Sequence, residues 1–306
     1  MEPTIVFMGT PDFSLPTLTA ADEAFQVLGV VTQPDRKAGR GRKVSLSPVK
    51  KEALRRDLPL IQPQSLKEDH VRRTLRSWNP DLIVVAAFGQ ILPPSLLELP
   101  EHGCLNVHAS LLPRWRGASP INAAVLHGDP QSGVTIMKMD AGLDTGPILS
   151  QRSTAITPQE TAGSLFRRLA DMGGALLVET IPPYLRGEIR PRPQDESQAT
   201  YAPQLSRSDG RLNFNHTAQE LERQVRAFHP WPGTFTFWDQ KRLIVHRARA
   251  ANVTSPGIGV LTRVEGHPAV GTSQGILILE QVQPAGKSSM PGEAFLRGAH
   301  DWPDPR

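Results

Sequence analysis

The chain has 306 residues, a formal net charge of +4 and a hydrophobic fraction of 39%, which together indicate a globular protein of two domains. No apolar run approaches the roughly 18 residues of a membrane helix. The N-terminus also lacks the basic and apolar regions of a secretion signal, so we expect a cytoplasmic protein. A single cysteine, Cys104, excludes an internal disulfide framework and a multi-cysteine metal site.

Strand and helix patterns alternate through the first 186 residues. Buried strands are predicted at residues 3–8, 25–31, 81–88, 104–108 and 133–139. Helices are predicted at residues 14–23, 48–56, 118–127 and 161–186. Ser47 is the expected N-cap of the second helix, and the last helix is interrupted or ended near its Pro-Pro pair. This alternation predicts an α/β fold with a doubly wound, mostly parallel sheet. Ligands bind beyond the carboxyl ends of such strands, where we expect residue 108 and residues 140–144.

The pattern changes after residue 186. Residues 187–203 are rich in Pro, Arg, Gln, Glu and Asp and read as a linker. A helix is predicted at 217–228, followed by short strands at 234–238, 243–249, 257–264, 269–272 and 275–282. Short strands separated by glycine turns suggest a small barrel. We therefore expect a catalytic domain over 1–189, a linker over 190–205 and a C-terminal domain over 206–306.

Asn106, His108 and Asp144 form the strongest candidate for a catalytic set. An Asn side chain can donate to a developing oxyanion, a His can share that load or move a proton, and an Asp can orient the His. Asn106 and His108 lie two residues apart on one strand and therefore share a face. The alternative is a polar strand end and an Asp that caps a turn, but the three together favour acyl transfer. The chain contains no Gly-x-Gly-x-x-Gly fingerprint at its first turn and no metal-ligand spacing.

Basic charge is concentrated near this site. Residues 36–56 contain nine basic residues and one acid, Glu52, a local charge of +8. Gly39 and Gly41 allow the loop to become ordered on a partner, and arginine offers planar donors for phosphates or base edges. We favour nucleic-acid binding over a solvated surface. The candidate contact residues, including a basic face on a later strand, are Arg36, Lys37, Arg40, Arg42, Lys43, Arg247 and Arg249.

Several motifs identify a resemblance over essentially the whole chain. They are Gly9-Thr10-Pro11-Asp12-Phe13, Gly39-Arg40-Gly41, Asn106 through Gly117, Asp140 through Gly146, and Ala227-Phe228-His229-Pro230-Trp231-Pro232. With these motifs the chain resembles the methionyl-tRNA formyltransferases. The Asn-x-His and Ser-Leu-Leu-Pro segments are shared by folate-dependent formyltransferases of this type. The Gly-Arg-Gly loop and the Phe-x-Pro-Trp-Pro segment point more narrowly to the tRNA enzymes.

The resemblance implies a Rossmann-like catalytic domain followed by a smaller C-terminal β-barrel of the OB type that binds tRNA. It implies 10-formyltetrahydrofolate as formyl donor, without a metal, and initiator methionyl-tRNA as acceptor in translation initiation. Asn106, His108 and Asp144 match the family's catalytic set, and Arg40 matches a residue expected at the tRNA acceptor stem. The positions that match the folate pocket are Phe88, Gln90, Ile91, Leu92, Ser110, Leu111, Leu112, Pro113 and Asp140. We expect a monomer with no membrane partner.

Three other functions compete with this interpretation. A formyltransferase acting on a small amine would share the catalytic set but would have less need of the basic loop. A nucleic-acid-binding protein with an inactive enzyme domain would not need an intact Asn–His–Asp set. A hydrolase that releases formate from the donor would need only the catalytic domain.

Overall fold

The computed structural model describes residues 2–38 and 43–303 and divides the chain into two compact units. The first unit comprises Met1–Pro120, Ser132–Thr154 and Phe166–Ala202. The second comprises Ile121–Gln131, Ala155–Leu165 and Pro203–Arg306.

The elements are numbered in chain order. The helices are α1 (Ser14–Ala24), α2 (Pro48–Arg55), α3 (Asp69–Trp78), α4 (Pro94–Leu97), α5 (Pro120–Leu126), α6 (Ala162–Leu185), α7 (Ala218–Ala227) and α8 (Gly292–Leu296). The strands of residues 1–202 are β1 (Thr4–Gly9), β2 (Gln26–Val31), β3 (Arg36–Ala38), β4 (Lys43–Ser45), β5 (Leu60–Ile61), β6 (Leu82–Ala86), β7 (Cys104–His108), β8 (Arg116–Gly117), β9 (Gln131–Lys138), β10 (Ile148–Ala155) and β11 (Tyr201–Ala202). The later strands are β12 (Thr234–Trp238), β13 (Lys241–Ala251), β14 (Leu261–Val264), β15 (His267–Gly271), β16 (Ile276–Pro284) and β17 (Met290–Pro291).

A seven-stranded sheet with the order β10-β9-β7-β6-β1-β2-β5 forms the centre of the first unit. The pairs β1–β2, β1–β6, β2–β5 and β6–β7 are parallel, and β7–β9 is antiparallel. Counted along the chain, the parallel strands have the order 3-2-1-4-5 of a doubly wound sheet. The prediction of a mostly parallel α/β sheet is therefore confirmed.

One positional prediction is wrong, because β9 runs against its neighbour. Lys138, at the end of β9, pairs with Leu105 near the start of β7. Residues 140–144 therefore leave the sheet at the amino end of β7, and not beyond a parallel carboxyl end. Asp144 nevertheless contacts Asn106 and His108 of β7, because it lies in a loop that extends away from the end of β9 before Pro147 O returns to bond with Lys138 N.

The parallel strands are apolar because both faces of the sheet are covered. Every residue of β6, Leu82–Ala86, is buried. On one face, Val6, Ile83 and Cys104 pack with Leu75 of α3 and Leu96 of α4 in a single buried cluster. Through Cys104 that cluster packs against the amino end of β7, on the face that also carries Asn106 and His108.

Local sequence signals explain where two of the helices begin and end. Ser47 caps α2 by accepting a hydrogen bond from Lys50 N at 3.1 Å, as its sequence predicts. Helix α6 continues through Pro182 and Pro183 to Leu185, so the prolines do not interrupt it. They lie in the last turn, where little helix remains to be broken.

The second unit is built on a six-stranded sheet. Its order is β12-β13-β16-β15-β14, with β17 also on β16, and each recorded strand pairing is antiparallel. Thr217 and Glu220 form a capping box at the start of α7. Strand β14 begins at Leu261, four residues later than predicted, because Gly257 and Gly259 have φ values of 125° and 75°, which strands do not adopt.

Among the helices of residues 2–38 and 43–303, none is long and apolar enough to cross a lipid bilayer.

Candidate active site

The carboxyl end of β7 carries two polar side chains on one face. Cys104, Asn106 and His108 alternate along the strand, so all three point to the same side of the sheet. Cys104 lies in the core, Asn106 is half-buried, and His108 is only 6% exposed. Burial raises the pKa of the Cys104 thiol to about 12, so this group stays protonated and is no nucleophile.

Asp144 brings a carboxylate to these two side chains. Its Oδ2 accepts a hydrogen bond from Gly117 N at 2.8 Å, and its Oδ1 accepts one from Asn106 Nδ2 at 3.4 Å. His108 Nδ1 lies 3.6 Å from Asp144 Oδ2. The three residues selected from the sequence therefore meet at one point.

The opposite edge of the His108 ring faces the backbone. His108 Nε2 lies 2.9 Å from the carbonyl oxygen of Trp115. A carbonyl oxygen can only accept, so Nε2 carries a hydrogen and donates it to Trp115. Any substrate oxygen that uses this N–H must share it with Trp115 or displace that carbonyl.

A tight turn supplies the Gly117 N–H. Trp115 has a φ of 61° and Gly117 a φ of 105°, both in the left-handed region. A Cβ at position 117 would also lie 2.7 Å from Ala202 O, so glycine is required there. Within the same turn Ser110 Oγ donates to Arg114 O at 2.6 Å. Ser110 thus holds the turn, and its hydroxyl hydrogen is used by Arg114 O.

Residues 194–202 contribute to this site, and sequence reasoning missed them. Arg116 is fully buried, and its Nη1 and Nη2 donate to the two carboxylate oxygens of Glu196 at 2.8 Å each. This pairing raises the pKa of Arg116 and lowers that of Glu196. Gln194 binds the Asp144 loop. The segment has no periodicity, so only the proximity of Arg116 to the catalytic set offered a signal.

The residues expected to bind folate differ in exposure. Phe88, Leu92 and Leu112 are at most 5% exposed and belong to the apolar core, so they shape the surface mainly through their backbone. Ile91 is 90% exposed and offers an apolar side chain at the carboxyl end of β6.

The remaining folate candidates hold loops in place, either their own or a neighbouring one. Gln90 Nε2 donates to Pro63 O at 3.2 Å. Asp140 Oδ1 accepts from Gly142 N at 3.0 Å and from Thr145 Oγ1 at 2.7 Å. Leu111 and Pro113 are half-buried members of the Trp115 turn.

Residues just beyond β1 and β2 donate hydrogen bonds to the backbone of the Phe88 loop. Thr10 Oγ1, just beyond β1, donates to Phe88 O at 2.9 Å. Gln33 Nε2, just beyond β2, donates to Gly89 O at 2.9 Å. The carboxyl ends of β1, β2, β6 and β7 therefore gather around one surface, as a doubly wound sheet requires.

The basic candidates differ in environment. Arg36 is exposed and donates to Gln33 Oε1 at 3.0 Å. Gln33 therefore links the start of the basic loop to Gly89 O in the Phe88 loop. Lys37 lies in β3 and Lys43 in the antiparallel partner β4, whereas Arg40 and Arg42 lie outside the described residues.

Arg247 and Arg249 lie on β13, as expected, but their charges are paired. Arg247 Nε is 2.8 Å from Glu280 Oε2, and Arg249 Nε is 3.5 Å from Glu280 Oε1. Arg249 also pairs with Glu265. The two arginines therefore share Glu280 as a counter-ion, and Glu280 and Glu265 together offset their positive charges.

In the part of the chain that the structure describes, no group of three or more His, Cys, Asp or Glu side chains could hold a metal ion.

Comparison with known proteins defines the class to which this site belongs. The family described as formyl transferase matches residues 4–181, and its C-terminal domain family matches residues 204–300. The fold agrees with that of WlaRD, a sugar 3N-formyl transferase whose structure was determined in the presence of dTDP and 5-N-formyl-THF. The two share a TM-score of 0.68 and 19% identity, over 94% of this chain and all of that one. The protein is therefore an enzyme of the formyl transferase family.

Full-length relatives narrow the assignment. The methionyl-tRNA formyltransferase of Myxococcus xanthus is 48% identical over 297 residues, which cover 97% of this chain and 95% of the relative. The methionyl-tRNA formyltransferase of Marinobacter nauticus is 45% identical over 298 residues, 96% of each chain. The chain belongs to the methionyl-tRNA formyltransferases.

Proposed function

We propose that this protein transfers the formyl group of 10-formyltetrahydrofolate to the α-amine of methionine esterified to initiator tRNA. The observation that carries the proposal is the convergence of Asn106, His108 and Asp144 at the carboxyl end of β7. Full-length similarity to methionyl-tRNA formyltransferases supports the choice of acceptor.

Transfer proceeds by direct attack of the amine on the formyl carbon. An α-amine has a pKa of about 8, so a useful fraction is neutral and nucleophilic near pH 7. The new C–N bond places negative charge on the formyl oxygen. Collapse of this intermediate breaks the bond to N10 of the folate and leaves the formamide. One proton leaves the attacking nitrogen, and one is delivered to N10.

Asn106 and His108 stabilise the oxyanion in this scheme. The Asn106 amide has two hydrogens, one of which points to Asp144, so the other can donate to the formyl oxygen. A donor of this kind lowers the activation barrier by roughly 3–4 kcal/mol. His108 assists when its Nε2–H is shared between Trp115 O and the substrate.

Asp144 orients His108 and moves the proton. Its Oδ2 is fixed by Gly117 N at 2.8 Å, which leaves the remaining lone pairs of the carboxylate for a water or the attacking amine. Through that water the amine proton can pass to the leaving nitrogen. No step in this scheme requires a metal.

The surface at the carboxyl ends of the strands fits a folate donor. Ile91, five residues beyond β6, and Leu143, next to Asp144, are large apolar side chains that are 90% and 63% exposed. A planar pteridine ring would cover such side chains, while backbone groups of the Phe88 and Leu112 segments would hydrogen-bond its edge. We assign to donor binding Phe88, Gln90, Ile91, Leu92, Ser110, Leu111, Leu112, Pro113 and Asp140.

The acceptor is bound by basic residues of both parts of the chain. We assign binding of the tRNA acceptor stem to the loop that carries Arg36, Lys37, Arg40, Arg42 and Lys43. The C-terminal domain, residues 206–306, would form an OB-type barrel that contacts the tRNA, with Arg247 and Arg249 as candidates. Their ion pairs with Glu280 must open for direct phosphate contact, so we expect these two to contribute less than the loop.

An acceptor competition tests this function. Purified protein and 10-formyltetrahydrofolate are supplied with charged initiator tRNA, charged elongator tRNA and a panel of amino sugars and nucleotide-linked amines. Formylation confined to the initiator tRNA is the expected result. Formylation of a small amine alone would retain the catalytic set but overturn the acceptor, and formate release without transfer would indicate a hydrolase.

A further inference from the structure

Residues 194–202 run along the turn that carries the Gly117 N–H. Thr200 Oγ1 accepts a hydrogen bond from Trp115 N at 2.9 Å, and Thr200 O accepts one from Arg116 N at 2.9 Å. Ala202 O accepts from Ala118 N, again at 2.9 Å. The segment therefore adds a short parallel strand to this turn, although its composition suggests a spacer.

Arg116 fixes the orientation of the Gln194 side chain. Arg116 Nε and Nη2 donate to Gln194 Oε1 at 3.0 and 2.9 Å, while Glu196 holds the other side of the guanidinium. Because a guanidinium can only donate, the atom that it contacts must be the amide oxygen. The amide nitrogen of Gln194 therefore points away from Arg116.

That nitrogen is directed at the backbone of the Asp144 loop. Gln194 Nε2 donates to Asp144 O at 2.8 Å and to Gly146 O at 2.7 Å, which uses both of its hydrogens. Asp144 has a φ of 53°, a left-handed conformation that is uncommon for a residue with a side chain and that needs support from its surroundings. A Cβ at Gly146 would collide with Lys138 O, so the loop is also tightly seated at this second point.

We propose that Gln194 is a positioning residue, which holds the Asp144 loop so that the carboxylate faces His108 and the Gly117 N–H. Arg116 and Glu196 act through Gln194 by fixing its amide. The effect on turnover rests on the proposed formyl transfer, in which Asp144 orients His108 and moves a proton. The oxygen and both hydrogens of the Gln194 amide are engaged within the protein, so Gln194 acts through the Asp144 loop.

Gln194→Glu is the most informative variant. It keeps the length of the side chain and an oxygen for Arg116, but it replaces two N–H donors with an oxygen that repels two carbonyls. Arg116→Ala is less useful, because removal of a fully buried guanidinium could prevent folding. Gln198→Glu is the matched control, since the exposed Gln198 lies in the same segment and its side chain donates to Asp195 Oδ2, away from the Asp144 loop.

Kinetics give the first readout. We expect Gln194→Glu to lower kcat about 10- to 100-fold, because a shift of up to 1 Å in a catalytic group has effects of that size. KM for folate and for charged tRNA should stay within about twofold, and thermal unfolding should show full folding. Gln198→Glu should match the wild type. A kcat within about twofold of wild type, equal losses in both variants, or a kcat loss that follows the loss of folded protein would overturn the proposal.

A second readout needs no substrate. The ring ¹⁵N signals of His108, assigned with a His108→Gln variant, should shift in Gln194→Glu and stay fixed in Gln198→Glu. Unchanged His108 signals in Gln194→Glu would overturn the positioning role. If the wild-type chain did not formylate methionyl-tRNA, the proposed function would fail, but this comparison would still decide on Gln194.

Discussion

The backbone N–H of Gly117 donates a hydrogen bond to Oδ2 of Asp144 at 2.8 Å. This bond joins the turn after β7 to the loop after β9, which are separated by 27 residues along the chain. It fixes Oδ2, the oxygen that also lies 3.6 Å from His108 Nδ1, and leaves Oδ1 to accept from Asn106 Nδ2. The position of the carboxylate is thus determined by main-chain geometry.

Asp144→Asn should separate the charge of this group from its position. An amide can keep its oxygen on Gly117 N, but its NH2 group would then face the Asn106 NH2, and the acceptor for the amine proton is lost. We expect kcat to fall about 100-fold, the range of a lost general acid–base group, with KM for both substrates changed less than about threefold. Steady-state formylation with both substrates varied measures this.

The exposed Asp69 provides the control for that change. It pairs with Arg72 on α3, so Asp69→Asn should leave turnover intact. Near-normal kcat in Asp144→Asn would remove Asp144 from the mechanism.

The basic loop should determine how strongly acceptor binding depends on salt. Each phosphate contact releases counter-ions and adds about 0.7 to 0.9 to the slope of log affinity against log salt. Arg40→Ala should therefore reduce that slope by about 1 and weaken tRNA binding, while leaving folate binding unchanged. Filter binding of charged initiator tRNA at several salt concentrations measures the slope.

Arg247→Ala is the matched comparison, because that guanidinium is paired with Glu280 in the folded protein. We expect it to change the slope by clearly less than Arg40→Ala. The reverse order would place the main tRNA contact on β13 and contradict the role given to the loop.

Glu52 should contribute to acid stability. Hydrogen bonds from Arg55, and then from Arg56, lower the pKa of Glu52 from 4.5 to about 2. A carboxyl whose pKa is depressed by folding stabilises the protein above its unfolded-state pKa. That contribution is lost as the pH falls from about 4.5 towards 2. We expect a loss of about 1 kcal/mol in the free energy of unfolding, the scale of a surface ion-pair network.

Denaturant unfolding at pH 5 and at pH 3 measures this loss. Glu52→Gln should be less stable than wild type at pH 5 and should show a smaller decrease towards pH 3, whereas substitution of the exposed Glu101 should change neither value. An unchanged pH dependence in Glu52→Gln would show that the Arg55–Arg56 cluster does not stabilise the fold.

Sequence patterns predicted much of the fold because burial leaves a recognisable pattern of apolar residues. The continuous apolar run of β6 and the cap at Ser47 both appear where they were expected. The direction of β9 could not be predicted in this way, because a buried strand has the same composition whether it runs parallel or antiparallel. That direction determines where the Asp144 loop leaves the sheet.

The candidate site was predictable only in part. Asn106 and His108 share a face by strand periodicity, and Asp144 joins them in the structure. Gln194 and Thr200 could not be found, because their contacts link positions that are about 50 and 85 residues apart and no periodicity marks them. The bond from His108 to Trp115 O depends on a left-handed turn that sequence alone does not specify.

Single-turnover formylation by Asn106→Ala tests the central claim most directly. Enzyme in excess over charged initiator tRNA, saturated with 10-formyltetrahydrofolate, reports the rate constant of the chemical step, and the binding constants of both substrates are measured separately. If Asn106 stabilises the oxyanion, that rate constant falls about 100- to 1,000-fold while both binding constants stay within about threefold. A rate constant within about threefold of wild type, or a loss explained entirely by weaker binding, would contradict the account.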